Sequence, residues 1–269
     1  MGHPLDEAHA KIARALVHLD ELDRKAGPFV KAHPYDIVPE LNEDMGRLEF
    51  VARALAPEEP VPLEFGIIAG DIAHNLRSAL NYLTWRLATP PIGTGPGDAT
   101  QFPIFFDQPG RTYKKIPVAR FRDGENSYLA GVPRPHRTRI QRLQPYHGGR
   151  RQHLAFLAGL NNRDKHSLVN TALMLGHVQP PDLAKWPGKL MINLIPTPAI
   201  HEGAVVGWLV SLDPTHHETG ERLSGDVQMK FDPTFEIAFG ENPMIGGLAH
   251  FRRLTELVSL ILRVFRDVF

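Results

Sequence analysis

The sequence predicts an α+β fold, with a helical bundle core, a small antiparallel β-meander and a long C-terminal helix. Apolar residues recur every three or four positions in several stretches before residue 165 and again after residue 243, which is the period of amphipathic helices. Between about residues 189 and 240 the apolar period becomes two, and Pro, Gly and Asp separate the segments, as in antiparallel strands. We expect these parts to form a single domain over residues 1–269.

The helical core is expected over about residues 1–176, and it begins with a helix from residue 4 to residue 26. Gly27 and Pro28 are expected to end this helix, because proline lacks a backbone donor and glycine favours helix termini. A hairpin near residues 30–54 follows as an insertion, with strands at Val30–Val38 and Arg47–Ala54. Two prolines confine its first strand to a sheet edge.

The next helix, predicted from Leu63 to Ala88, carries an apolar face and an unusual polar face. The apolar face consists of Ile68, Ile72, Leu76, Ala79, Leu83 and Leu87. The opposite side carries Asp71, His74, Asn75, Ser78, Tyr82 and Trp85, with Arg77 and Asn81 at its flanks. An ordinary exposed face is rich in Glu and Lys, whereas these residue types are typical of ligand sites and buried networks.

The second half of the chain supplies the remaining elements. We expect an extended segment at Gln101–Phe106, an irregular region up to Pro133, and helices over Pro135–Leu143 and Arg150–Asn161. The meander comprises strands at Leu190–Ile195, Val205–Leu212, Asp226–Asp232 and Phe235–Phe239. A closing helix from about Pro243 to Phe269 has an apolar seam, which serves as core packing, as a homodimer interface or as a membrane-surface face.

Composition excludes several classes of protein. The chain has no cysteine, so disulfides, thiolate metal sites and a cysteine nucleophile are excluded. No apolar run reaches the roughly 18 residues that a membrane-spanning helix needs. The N-terminus lacks the pattern of an export or acylation sequence. We therefore expect a cytoplasmic protein without membrane association.

Charge is distributed unevenly although the formal net charge is zero. Residues 1–107 carry nine basic and sixteen acidic side chains, whereas residues 108–163 carry twelve and two. Arginine predominates from Asn126 to Arg163, where there is no acid. One interpretation is a solvated face whose arginines pair with the acidic N-terminal segment. The other is an anion-binding surface for nucleic acid, a nucleotide or an acidic protein, with Arg150 and Arg151 as ligand-binding residues.

Two polar strings, residues 71–78 and 161–166, interrupt apolar helical pattern about ninety positions apart. Buried charges and donors are costly unless they are paired, so we expect the two strings to meet in the fold. Together with Phe102-Pro103-Ile104 and Leu143-Gln144-Pro145-Tyr146, they resemble a bacterial family common in actinobacteria. That resemblance covers about residues 63–170 and implies no particular activity.

The strings are also similar to the HEPN helical bundles, many of which are metal-independent ribonucleases. In those proteins an Arg, a polar residue and a His lie near one helix, with a longer spacing between Arg and His than that of Arg163 and His166 here. The resemblance implies RNA or another phosphate-bearing ligand as partner.

Metal-independent RNA cleavage needs a base, cations and phosphate-positioning donors. His74 or His166 can act as the base, and Arg77, Arg163 and Lys165 can supply the cations. Asn75 and Asn162 can position the phosphate, and Asp71 completes the ligand-binding set.

Two other interpretations use the same residues. In the first, the polar cluster only fixes helix packing in a non-enzymatic interaction protein: Asp71 pairs with Arg163 or Lys165, and His74 bonds Asn162. In the second, Asp71, His74, Asp164 and His166 bind a metal, but the spacing matches no established motif, so we predict neither metal nor cofactor.

Overall fold

The computed structural model describes residues 2–32, 35–55, 60–107, 115–164, 167, 169, 171–177, 190–195, 200–211, 234–241 and 244–269. Its backbone contacts divide the chain into two compact units. The first comprises residues 1–23, 62–170 and 239–269, and the second comprises residues 24–61 and 171–238. The α+β class is confirmed, because the first unit is mainly helical and the second is mainly antiparallel sheet. The single domain over residues 1–269 stays a prediction.

Six helices are described, and most of them belong to the first unit. They are α1 (Asp6–Ala32), α2 (Leu63–Ala88), α3 (Pro117–Tyr128), α4 (Arg134–Arg142), α5 (His153–Asp164) and α6 (Leu248–Val264). Helices α2, α5 and α6 pack against one another. Their apolar faces are buried there, and removing that surface from water supplies the main driving force for this core.

Helices α1, α3 and α5 differ from the predictions. Helix α1 continues through Pro28 to Ala32, so its expected end was wrong; this proline lies one turn from the helix end and removes a single backbone bond. Helix α3 lies in the region predicted to be irregular, because it buries only Pro117 and Phe121 and so has little apolar period. Helix α5 begins at His153 rather than at residue 150, after a 3-10 turn over Gly149–Gln152.

Two sheets replace the single predicted meander. The strands are β1 (Tyr35–Asn42), β2 (Arg47–Ala54), β3 (Thr171–His177), β4 (Leu190–Leu194), β5 (Val205–Ser211), β6 (Thr234–Glu241) and β7 (Met244–Gly246). One sheet has the order β1-β2-β5-β4 and the other has the order β3-β6-β7.

The first sheet corrects the predicted place of the hairpin. Its first strand begins at Tyr35 rather than at residue 30, and Tyr35 pairs with Ala54 in an antiparallel register that ends at Asn42 and Arg47. The pairing of β2 with β5 makes the hairpin part of a larger sheet, not an insertion within a helical core. Strand β1 is the sheet edge, as its prolines predicted.

One further prediction is changed by the structure, and another lies outside the residues that it describes. Residues 171–177 were expected within the helical core but form β3, because a short apolar run does not distinguish a strand from a buried helix. The predicted strand at Asp226–Asp232 lies outside the described residues.

Helix α6 packs inside the first unit. It spans Leu248–Val264, with a 3-10 turn after it and the short strand β7 before it, so it is shorter than predicted. The seam residues Phe251, Leu254, Val258 and Ile261 are fully buried, which confirms the core-packing interpretation. A homodimer stays a prediction. In the part of the chain that the structure describes, no helix combines the length and apolarity needed to cross a bilayer.

Candidate anion-binding site

The candidate site depends on an extended segment, Gln101–Asp107, that pairs with no strand in the described structure. Buried backbone groups need partners, and here side-chain amides supply several of them. Asn81 Oδ1 accepts a hydrogen bond from Phe102 N at 3.1 Å. The buried Gln144 accepts from Phe105 N at 3.0 Å and donates to Pro103 O at 2.8 Å. These bonds fix the segment beside α2.

A cavity of about 240 Å³ lies between this segment, α2, the end of α3 and the end of α5. Arg77 contributes the charge, and Gln101, Asn161 and Asn162 contribute amides. Phe105 and Tyr128 form an aromatic wall, with ring centroids 6.0 Å apart. All of these residues belong to the first unit. The cavity therefore combines one cation, several amide groups and an apolar wall.

The Arg77 guanidinium is the unusual group in this cavity. Its Nη2 donates to Gln101 Oε1 at 3.2 Å. Its Nη1 is shielded from solvent and has no hydrogen-bond partner among the described residues. Burial lowers the pKa of Arg77 to about 10, which still leaves it charged at neutral pH. A buried cation with a free donor is costly, and an anion in the cavity would offset that cost.

The two polar strings do meet, as the sequence predicted. Arg77 of the first string and Asn162 of the second line the same cavity. Gly70, just before the first string, lies against the Asp164 carboxylate so closely that a Cβ at position 70 would collide with it. This contact with the exposed Asp164 side chain brings the start of the first string close to the end of α5.

The predicted polar face of α2 divides into two groups in the structure. Asp71 and His74 are exposed, and His74 Nε2 lies 3.5 Å from Ser78 Oγ. Asn75 is buried, but its Nδ2 donates to Asp71 O at 2.8 Å within the same helix. None of these three lines the cavity, whereas Arg77, at the edge of the predicted face, does. Their predicted roles stay predictions.

The second string is described only in part. Asn162 and Arg163 are exposed in the last turn of α5, and Arg163 O accepts a hydrogen bond from Ser167 N at 2.8 Å. Lys165 and His166 lie outside the described residues. Within the described part of the chain, no group of three or more His, Asp or Glu side chains is arranged to hold a metal.

The arginine-rich stretch has a mixed character. Arg151 donates to Gly148 O at 3.2 Å and to Arg142 O at 2.9 Å, so its guanidinium supports the backbone. Arg137 donates to Val132 O at 2.7 Å and lies 3.9 Å from Glu125, within the same region rather than beside the N-terminal segment. Arg150 is exposed and faces a different cavity, described below.

Sequence reasoning missed several residues of the cavity. Tyr128, Gln101 and Phe105 line the cavity. The sequence predicts an irregular region at Tyr128 and an extended segment at Gln101 and Phe105, without a role in a site for any of them. Residues 102–104 and 143–146, which carry part of the family resemblance, include Pro103 and Ile104 of the cavity lining and Gln144, which holds the segment in place. These short strings carry the family resemblance together with the two polar strings, and that association was the signal in the sequence that could have indicated the remaining cavity residues.

No family model, curated protein or solved structure matches this chain. The functional argument therefore depends on the geometry of the cavity. The cavity can hold a small molecule that presents an acceptor with negative charge to Arg77 and an apolar surface to the two aromatic rings.

Proposed function

We propose that this protein binds a small anionic molecule, a carboxylate or a phosphate, in the Arg77 cavity. The observation that carries the proposal is the Arg77 Nη1 donor, which is shielded from solvent and has no hydrogen-bond partner among the described residues. The planar guanidinium presents several donors in a fixed fork and therefore suits a two-oxygen acceptor. The amides of Asn161 and Asn162, which also line the cavity, supply further donors for an anionic head group.

The size and walls of the cavity limit the ligand. Pockets for drug-sized molecules occupy about 300–1,000 Å³, and this cavity, at about 240 Å³, is smaller. Phe105 and Tyr128 favour a ligand with an apolar or planar body beside its anionic group. A small aromatic or branched aliphatic acid fits these requirements, as does a single phosphate group of a larger molecule.

A direct test measures binding of inorganic phosphate, sulfate, acetate and benzoate by calorimetry and by the shift of the melting temperature. Arg77→Met removes the charge at nearly constant length, and Arg122→Met is a matched control on the exposed surface of α3. We expect at least one anion to bind the wild type and the control, and to bind Arg77→Met at least tenfold more weakly. Equal binding to all three proteins would disprove the proposal.

RNA binding is a second candidate function, favoured by the exposed arginines of α4. Arg134, Arg139 and Arg142 are exposed in a stretch that contains no acid. Such a surface binds phosphates without base recognition, and its affinity falls steeply as salt rises from about 50 to 200 mM. Fluorescence anisotropy with a single-stranded RNA should show this dependence, and Arg139→Met/Arg142→Met should reduce the slope. A flat salt dependence would count against RNA binding.

Metal-independent cleavage of RNA would require more than this surface. The general base would be His74, which is exposed outside the cavity, or His166. Incubating labelled RNA with the protein and a chelator, beside His74→Ala and His166→Ala, tests that step. Product from the wild type, with loss of product in at least one of the two variants, supports a ribonuclease and identifies its base; intact RNA in all three leaves binding as the function.

A further inference from the structure

A second cavity of about 580 Å³ lies on a different part of the first unit. It is bounded by the 3-10 turn before α5, by the first residue of α5 and by one face of α6. Its charged and polar lining consists of Arg150, His153, Arg253, Glu256 and Arg263. We call this cavity the α6 groove. It shares no lining residue with the Arg77 cavity.

The spacing on α6 explains why the groove is cationic along one side. Arg253, Leu257 and Leu260 follow one another at steps of four and three, so they share a helix face. Arg263, three residues further on, extends this face, and Arg150 approaches from the turn before α5. The residues of α6 that point away from its buried seam therefore form one wall of this groove.

The three arginines are available to a ligand. Among the described residues, none of Arg150, Arg253 and Arg263 forms an ion pair with a carboxylate, although Glu256 lines the same groove. By contrast, the adjacent Arg252 of α6 pairs with Asp23. Three guanidiniums and one carboxylate leave an excess of positive charge, which attracts an anion with more than one charged oxygen.

Glu256 and the two leucines restrict the ligand further. A carboxylate repels a bare phosphate but accepts hydrogen bonds from hydroxyl groups. Leu257 and the half-exposed Leu260 supply an apolar wall for a carbon skeleton. Among the described residues that line this groove there is no Phe, Tyr or Trp, and His153 carries the single aromatic ring. The volume lies within the range of small-molecule pockets.

We infer that the α6 groove binds a phosphorylated sugar, either a free sugar phosphate or the ribose-phosphate part of a nucleotide. Arg253 and Arg263 from α6, together with Arg150, contact the phosphate oxygens. Glu256 accepts hydrogen bonds from the sugar hydroxyls, and Leu257 and Leu260 contact the carbon face of the ring. This site is independent of the anion proposed for the Arg77 cavity.

The test uses ribose 5-phosphate, AMP, inorganic phosphate and ribose as probes in calorimetry with the full chain. We expect ribose 5-phosphate to bind more tightly than phosphate, and ribose alone not to bind. AMP that binds more tightly than ribose 5-phosphate identifies a nucleotide as the ligand, and equal affinity identifies the sugar phosphate. Failure of both phosphorylated sugars to bind would overturn the inference, as would a ribose 5-phosphate affinity no greater than that of inorganic phosphate.

Variants separate this site from the other cavity. Arg253→Met should weaken ribose 5-phosphate at least tenfold, and Arg266→Met, which removes an exposed charge just after α6, is the matched control. Glu256→Gln should weaken ribose 5-phosphate yet strengthen inorganic phosphate, because it replaces one of two charged acceptor oxygens with an NH2 donor and removes a repulsive charge. Far-ultraviolet circular dichroism confirms that each variant folds, and Arg263→Met replaces Arg253→Met if the latter does not.

The combined results also distinguish failure of this inference from failure of the proposed function. Loss of the ribose 5-phosphate signal in Arg77→Met, with retention in Arg253→Met, would place the phosphate in the Arg77 cavity and overturn the assignment to the α6 groove. Loss in Arg253→Met but not in Arg266→Met supports the assignment, whatever the small-anion tests at Arg77 show.

Discussion

Replacing Arg77 with methionine should make the ligand-free protein more stable, not less. Burial lowers the pKa of Arg77 well below its ordinary value, to about 10. One pKa unit corresponds to about 1.4 kcal/mol, so burial disfavours the charged form by about 3 kcal/mol. No described carboxylate forms an ion pair with this guanidinium to offset that cost. Methionine keeps most of the length of the side chain and carries no charge to desolvate.

One favourable interaction is lost with the charge. The Arg77 Nη2–Gln101 Oε1 hydrogen bond, at 3.2 Å, is near the long end of the normal range. A bond to a charged group contributes about 1.5–3 kcal/mol, and the length of this one favours the lower figure. The net change is therefore a gain of about 1–2 kcal/mol. For a compact unit of this size, the melting temperature should rise by about 2–8 °C.

The assay compares thermal unfolding of the wild type, Arg77→Met and Arg122→Met, with and without the anion identified by calorimetry. We expect Arg77→Met to melt higher than the wild type without ligand and to lose the stabilisation that the anion gives. Such a residue would reduce stability in exchange for binding. A drop of several degrees in Arg77→Met, with an unchanged anion response, would refute this reasoning and favour a cluster that only fixes helix packing.

Three further predictions concern the residues around the two cavities. Gln144→Leu should lower the free energy of unfolding by about 2–4 kcal/mol in urea titrations, because it leaves Phe105 N and Pro103 O without their buried partner; an effect below about 0.5 kcal/mol would contradict the proposed clamp. Arg151→Met should destabilise the protein by about 1–2 kcal/mol, because it removes two hydrogen bonds to backbone carbonyls. Arg150→Met should leave stability nearly unchanged, and equal effects of the two substitutions would contradict the structural role of Arg151. Burial, followed by repulsion from His250 and Arg253, lowers the pKa of His153, so the unfolded chain binds a proton more readily than the folded one and stability should fall as the pH drops below about 6.5. His153→Gln should reduce the difference in melting temperature between about pH 7.5 and pH 5.5, and an unchanged difference would be evidence against this role. The charged groups that line the groove with His153 are Arg150, Arg253, Glu256 and Arg263.

The candidate site could be predicted only in part from the sequence. The density of Asn, Asp, Arg and His in residues 71–78 and 161–166 indicated that the two strings would meet, since isolated buried polarity is costly. Which of those side chains turns inward depends on the direction from which α5 approaches α2. In the structure Gly70 of α2 lies beside Asp164 at the end of α5, Arg77 lines the cavity, and His74 is exposed.

Elements whose apolar residues repeat regularly over many turns could be predicted from the sequence. The bounds of α2, residues 63–88, agree with the prediction, because its apolar residues keep one helical period over seven turns. Helix α3 and strand β3 were missed for the opposite reason: each carries too few buried residues, or too short a run, to show a period. Helix α1 was predicted to end too early, because the cost of Pro28 is confined to one backbone bond near the helix end.

The sequence by itself determined the α+β class, the long amphipathic helices, the absence of cysteine chemistry and the basic character of residues 108–163. Only the tertiary structure decided that β1 and β2 join β4 and β5 in one sheet, that Arg77 has a buried donor without a partner among the described residues, and that three arginines surround a groove on α6. The physical reason is the difference between local and long-range interactions. The spacing of apolar residues depends on neighbours along the chain, whereas strand order, burial and the shape of a cavity depend on contacts between residues remote in sequence.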